Sequence, residues 1–131
     1  MRLSETGLKS LLQQSVAELG FTRRNEKDGW PNFRRMLCTL DMNLLNSIAG
    51  RVAFNYINPV MPPAYNVKAY KLVTVYDLLW QSWRNIPFQL VNVINVLPSH
   101  NKKQQDEFWG LFEAQFKKMS SQDKINFMMR S

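Results

Sequence analysis

This 131-residue chain holds a single cysteine and a single histidine. Cys38, being alone, can form no intramolecular disulfide and no cysteine-based zinc cluster. A single thiol fits a reducing compartment. His100 has no partners at a spacing that suggests a triad or a metal site, and beside a helix start it reads as structural. The chain also lacks a glycine-rich phosphate loop, an HExxH helix and a GxSxG elbow. Asp106 and Glu107 are adjacent, so on a helix they diverge and cannot act together as acid and base. These absences lead to the expectation of a non-enzymatic protein with no cofactor, no metal and no small-molecule substrate. Apolar runs extend only a few residues, against the ~20 needed to cross a bilayer. The first twenty residues have no signal-peptide core, and Glu5 and Glu18 weaken a presequence reading. A protein with no membrane span, located in the cytoplasm, is expected.

Acid is the other shortage. Ten Asp and Glu face seventeen Lys and Arg, for a net charge of +7. From Leu44 through Tyr76 there is no acid at all, while Arg51, Lys68 and Lys71 are present. Such an excess favours nucleic acid, anionic lipid or an acidic protein surface as partner, and is equally compatible with plain solubility. The hydrophobic fraction of 45% and the charged fraction of 21% are globular values and exclude a disordered chain.

What is present is most concentrated in Phe21–Arg35, FTRRNEKDGWPNFRR, which holds five cations, two carboxylates and three aromatic rings. Cations interleaved with flat rings suit a polyanion whose bases can stack. The spacing places Arg23, Arg24 and Lys27 on a polar loop, followed by a helix from Pro31 to Leu40. Phe33, Met36, Leu37 and Leu40 line one side of that helix, and Arg34 and Arg35 stand opposite. Its N-terminal N–H groups would face the same anion. The alternative is that Trp30 and Phe33 are core and the arginines merely solvated. Tyr65, Lys68, Tyr70 and Lys71 form a second basic-aromatic patch.

Helical spacing extends over most of the rest. Ser4 caps a first helix carrying Leu8, Leu11, Leu12, Val16 and Leu19, closed by Gly20. Asp41 caps another with Leu44, Leu45, Ile48, Val52 and Tyr56. Within it, Gly50 implies either a close neighbour or an early end. Asn58–Pro63 is a stiff break. Thr74–Asp77 has capping-box spacing ahead of a helix from Val75 to Arg84, with Trp80 and Trp83 as core anchors. Phe88–Leu97 fits either a strand or a helix, and helix is favoured for want of a convincing partner strand other than Val67–Val73. Ser99 opens a long helix with Phe108, Trp109, Leu111, Phe112, Phe116 and Met119 on one side. Ser120–Asp123 opens a last one anchored by Ile125, Met128 and Met129.

The expected fold is therefore all-α: a single domain over 1–131, a bundle of five to seven helices, with minor strand content allowed at 67–73 and 88–97. The leading expected function is nucleic-acid binding, DNA or RNA. Arg23, Arg24, Lys27, Arg34, Arg35, Lys68 and Lys71 would lie on phosphates, with Trp30 or Phe33 stacking. The alternative is a small adaptor or inhibitor that docks on an acidic protein surface through Trp30, Tyr65 or the terminal methionines. A peripheral membrane role would need a longer basic amphipathic helix than 31–40.

Overall fold

Ser4 does cap the first helix. In the computed structural model, which describes residues 3–22, 33–54, 60–63 and 71–129, its Oγ accepts from the Gly7 N–H at 3.0 Å. Helix α1 then spans Glu5–Leu12. It stops earlier than the leucine spacing predicts, because tertiary bonds take its last carbonyls. The Leu40 N–H donates to Leu12 O at 2.9 Å, and the Thr39 hydroxyl lies 3.1 Å from Leu12 O and 2.8 Å from Ser15 O. The chain turns there into strand β1, Ser15–Thr22.

The all-α expectation is overturned at this point: the framework is a five-stranded antiparallel sheet. It comprises β1, β2 (Phe33–Thr39), β3 (Leu72–Asp77), β4 (Ser82–Pro87) and β5 (Val91–Pro98), in the spatial order β4-β3-β2-β1-β5. β1 is held on both sides, by β2 from Val16↔Thr39 to Thr22↔Phe33 and by β5 from Ser15↔Pro98 to Phe21↔Val91. The helix expected over 31–40 is β2. The helix expected over Val75–Arg84 is the end of β3, a turn at 78–81, and β4. The segment 88–97 is a 3₁₀ turn at Phe88–Leu90 leading into β5.

The sheet separates two core layers. On one face α1 contributes Leu8 and Leu12 to a cluster with Leu19, Met36, Cys38, Val75 and Ile86. On the other face Val16, Leu37 and Tyr76 meet four further helices, α2 (Met42–Leu45), α3 (Ile48–Phe54), α4 (Lys102–Gln115) and α5 (Ser121–Met129). Phe108, Trp109, Phe112 and Phe127 bury their rings there. Trp80 and Trp83, expected as central anchors, are only half-buried at its margin.

Of the two explanations offered for Gly50, the close neighbour holds, since α3 runs through Gly50 to Phe54. The helix expected from Asp41 to Tyr56 is broken at Asn46–Ser47 into α2 and α3. A Cβ on Gly50 would lie 2.6 Å from Leu45 O and 2.9 Å from Trp109 Cζ2. Asp41 does cap α2, its Oδ1 accepting from the Leu44 N–H at 3.1 Å. Two helices form in the C-terminal part as expected, but the N-cap of α4 is Asn101 and not Ser99, and α4 ends at Gln115 before Phe116 and Met119. α5 is anchored by buried Phe127, with Ile125, Met128 and Met129 only half-buried. Among the described residues no helix is long and apolar enough to cross a membrane.

Candidate functional site

Successive residues of a strand point to opposite faces, and this separates the two arginines that a helix would have kept together. Arg34 pairs with Phe21, on the α1 side of the sheet. It is buried, and its Nη1 donates to the Phe33 carbonyl at 2.9 Å. Arg35 pairs with Gly20 on the other face, where its Nη1 lies 3.9 Å from Glu18 Oε1. Phe33 is half-buried, with its ring over Gly20; a Cβ there would sit 2.7 Å from Phe33 Cζ.

The two arginines nevertheless meet at an edge. β2 and β3 pair only at Cys38↔Asp77 and Thr39↔Tyr76, with one further bond from the Leu78 N–H to Leu37 O. Beyond that point the strands part, leaving a cleft of about 590 Å³ beside the first half of β2. β2 lines it with Arg34, Arg35 and Met36, and β1 with Phe21. The β3–β4 hairpin contributes Asp77, Trp80, Arg84 and Asn85, while α5 closes the outer wall with Ile125 and Met128. Lys124, also on α5, holds its Nζ 5.3 Å from the centre of the Trp80 ring.

The hairpin turn sets this geometry. Asp77 Oδ1 accepts from the Leu79 and Trp80 N–H groups at 3.0 and 3.2 Å, and Gln81 takes a left-handed conformation (φ 51°) to bring the chain back. Asp77 Oδ2 lies 3.7 Å from Arg84 Nε, so the carboxylate orients both the turn and a cleft arginine. Burial raises the Asp77 pKa above the ordinary carboxylate range, against the opposing effect of the turn N–H groups, Arg84 and Lys124. Across the ladder, burial and then Asp77 push the Cys38 thiol well up, which keeps it protonated and inert.

Three cations, Arg34, Arg35 and Arg84, thus line a cleft that holds one carboxylate, with Lys124 beside it over Trp80 and Glu18 behind Arg35 as a second carboxylate. Arg35 Nε is buried without a hydrogen-bond partner among the described residues, a donor left unanswered at considerable cost. The arrangement can take an anion next to an aromatic ring. Compared with protein-family models, characterised proteins and solved structures, the chain matches none. Its site therefore has to be read from these side chains alone.

Of the residues named from the sequence, Arg34 and Arg35 line the cleft. Phe33 packs on β1 and does not line it. Lys71 is exposed, with φ 55°, ahead of the far end of β3. That places it roughly 20 Å along the strand from Asp77, so it does not join this site. Arg23, Arg24, Lys27, Trp30 and Lys68 lie outside the described residues. Sequence reasoning missed Trp80, Arg84 and Lys124. The signal for the first two was the β-branched run Leu72–Tyr76 ending in Asp77, a strand followed by a side-chain-capped turn.

A pH experiment tests the setting of Asp77. With its folded pKa raised above the unfolded one, the native state holds the proton more tightly. That contribution is fully present below the unfolded value, roughly pH 4, and is lost as pH rises through the folded value. Urea titrations of wild type and Asp77→Asn should therefore diverge, wild type gaining relative stability as the pH is lowered through that window. Parallel curves would show Asp77 titrating as it does in the unfolded chain.

Proposed function

We propose that the protein is a single-domain, non-enzymatic nucleic-acid-binding module of the cytoplasm that takes backbone phosphates into the cleft at the edge of β2. The observation that carries this reading is the convergence of Arg34, Arg35 and Arg84 on one opening lined by Trp80, with Lys124 over that ring and the Nε of Arg35 unpartnered among the described residues. A phosphate oxygen supplies the acceptor that this buried donor lacks, and charge-assisted bonds of this kind are the stronger ones. Arg84 is half exposed and reaches the same anion from the hairpin. Trp80 is half-buried and offers a stacking surface for a base once Lys124 moves aside. Bonds to phosphate carry little sequence information, so binding is weakly specific and falls steeply with salt.

Fluorescence anisotropy with a labelled single-stranded oligonucleotide over a salt series tests it. Arg84→Glu should weaken binding by roughly tenfold or more and reduce the salt slope by about one for each phosphate that the variant no longer engages. Lys71→Glu, at the other end of β3, should change little. Absence of binding at low salt would count against the reading. A loss of affinity with Lys71→Glu but not with Arg84→Glu would move the site elsewhere.

A second reading, docking on a larger protein, draws on a different observation. Ile48 and Val52, one turn apart on α3, are 85% and 67% exposed. Exposed Met61 follows Val60, whose backbone is clamped by both ends of the Asn46 amide, at 2.7 and 3.1 Å. Large apolar side chains this exposed suit a protein partner. Ile48→Glu would then abolish capture of that partner while leaving oligonucleotide affinity unchanged.

A further inference from the structure

Among the described residues, no strand pairs with the outer side of β5, at the edge of the sheet away from the cleft. β5 is the outermost strand there, and it differs from the opposite edge strand in its chemistry. Both edge strands end on a proline, Pro87 in β4 and Pro98 in β5, and β5 shifts register against β1 between Glu18 and Leu19; β4 adds an exposed cation, Arg84, which discourages pairing with another chain. β5 has no such charge. From Asn85 to Asn101 there is no Asp, Glu, Lys or Arg, in a chain whose net charge is +7. Ile94 and Val96 on β5 are 42% and 37% exposed, flanked by exposed Asn92 and Asn95. Asn95 Oδ1 accepts from the Val96 N–H at 3.0 Å, so a side-chain amide occupies a backbone donor of this edge strand.

We infer that β5 is the seam of a symmetric dimer, pairing antiparallel with β5 of a second copy of this chain. Two copies of a cationic protein repel one another, and they approach most cheaply through surface that carries no cations. β5 is such a surface. A two-fold axis sets the strand against itself, so a neutral strand of apolar and amide side chains needs no charge complement to choose its partner. Pairing brings Ile94 and Val96 out of water and offers the exposed asparagines to their counterparts. Asn95 releases the Val96 N–H in exchange for a bond across the seam.

Sedimentation equilibrium of the full chain, from low to high micromolar, at low and high salt, tests this inference. The expected result is a monomer–dimer equilibrium that tightens with salt, as screening reduces the repulsion. Val96→Lys should raise the dissociation constant by at least roughly tenfold, since it places a cation from each copy in the same seam. Asn92→Lys, at an exposed position of the same strand, should do the same, and guards against a folding defect in the first variant. Far-UV circular dichroism would confirm that each variant keeps the fold. A monomer at every concentration and salt would overturn the inference. So would a dimer indifferent to both substitutions, or one that dissociates as salt is raised.

Discussion

Replacing Phe112 by alanine should cost about 3–5 kcal/mol, the usual loss for deleting a fully packed aromatic ring. The Phe112 ring has centroids of Phe54, Trp109, Phe108 and Phe116 between 5.4 and 6.1 Å away, two of them edge-on and two tilted. These ring pairs join α3 to α4 and fill the layer that covers one face of the sheet. The surroundings are themselves rings with fixed packing, so they collapse poorly into the vacated space. Against a total stability of roughly 5–15 kcal/mol, a loss of that size leaves the variant near its unfolding threshold. Phe112→Leu keeps most of the volume and should lose far less, about 1.5 kcal/mol. Urea midpoints at constant slope give both values. A cost below about 1 kcal/mol for the alanine variant would mean that α4 is not docked on the sheet as described.

Asp41→Ala should be the second severe substitution, although it removes no apolar surface. The carboxylate is buried and makes two bonds of different kinds. Its Oδ1 caps α2 through the Leu44 N–H, and its Oδ2 accepts from the Ser99 hydroxyl at 2.6 Å. Loss of the cap costs about 1 kcal/mol. The buried Ser99 hydroxyl, left without its acceptor, adds about 1–3 kcal/mol. A total of about 3 kcal/mol is expected from chemical denaturation. Because the two residues share one bond, Ser99→Ala on the Asp41→Ala background should cost much less than Ser99→Ala alone. Equal costs on both backgrounds would show that the two side chains do not interact.

What could be read directly from the sequence was what depends on near neighbours. Ser4 and Asp41 cap helices because a cap is a matter of three or four residues. The apolar stripe of α4 and the start of α5 are likewise local. β1 and β2 were misread because both of their faces are buried, so neither shows the alternation that marks a half-exposed strand. Phe33, Met36, Leu37 and Leu40 fall at helical intervals by coincidence. In the fold, Met36 and Leu37 serve opposite core layers.

The β3–β4 hairpin escaped for another reason. Its tight turn places Gln81 at positive φ, where glycine or asparagine is the usual marker, so the turn signal was absent. With the turn unseen, Val75–Arg84 reads as one helix with Trp80 and Trp83 in the core. The same error hid the cleft. Arg34 and Arg35 were found by composition, whereas Arg84, Trp80 and Lys124 reach them only through strand pairing and helix docking across long stretches of chain. The helix reading also put both arginines on one surface, where the pleat sends them to opposite faces and only the strand edge reunites them.

The position of β1 between β2 and β5 has a consequence for how the molecule assembles. Its first neighbour, β2, is close behind it in the chain, but its second, β5, lies beyond β4. A ladder that joins distant parts of a chain forms late, because the loop entropy is spent before the new pairing repays it. During synthesis one side of β1 therefore waits until β5 has left the ribosome. The slow step of folding should be that final closure, after the β3–β4 hairpin has already formed.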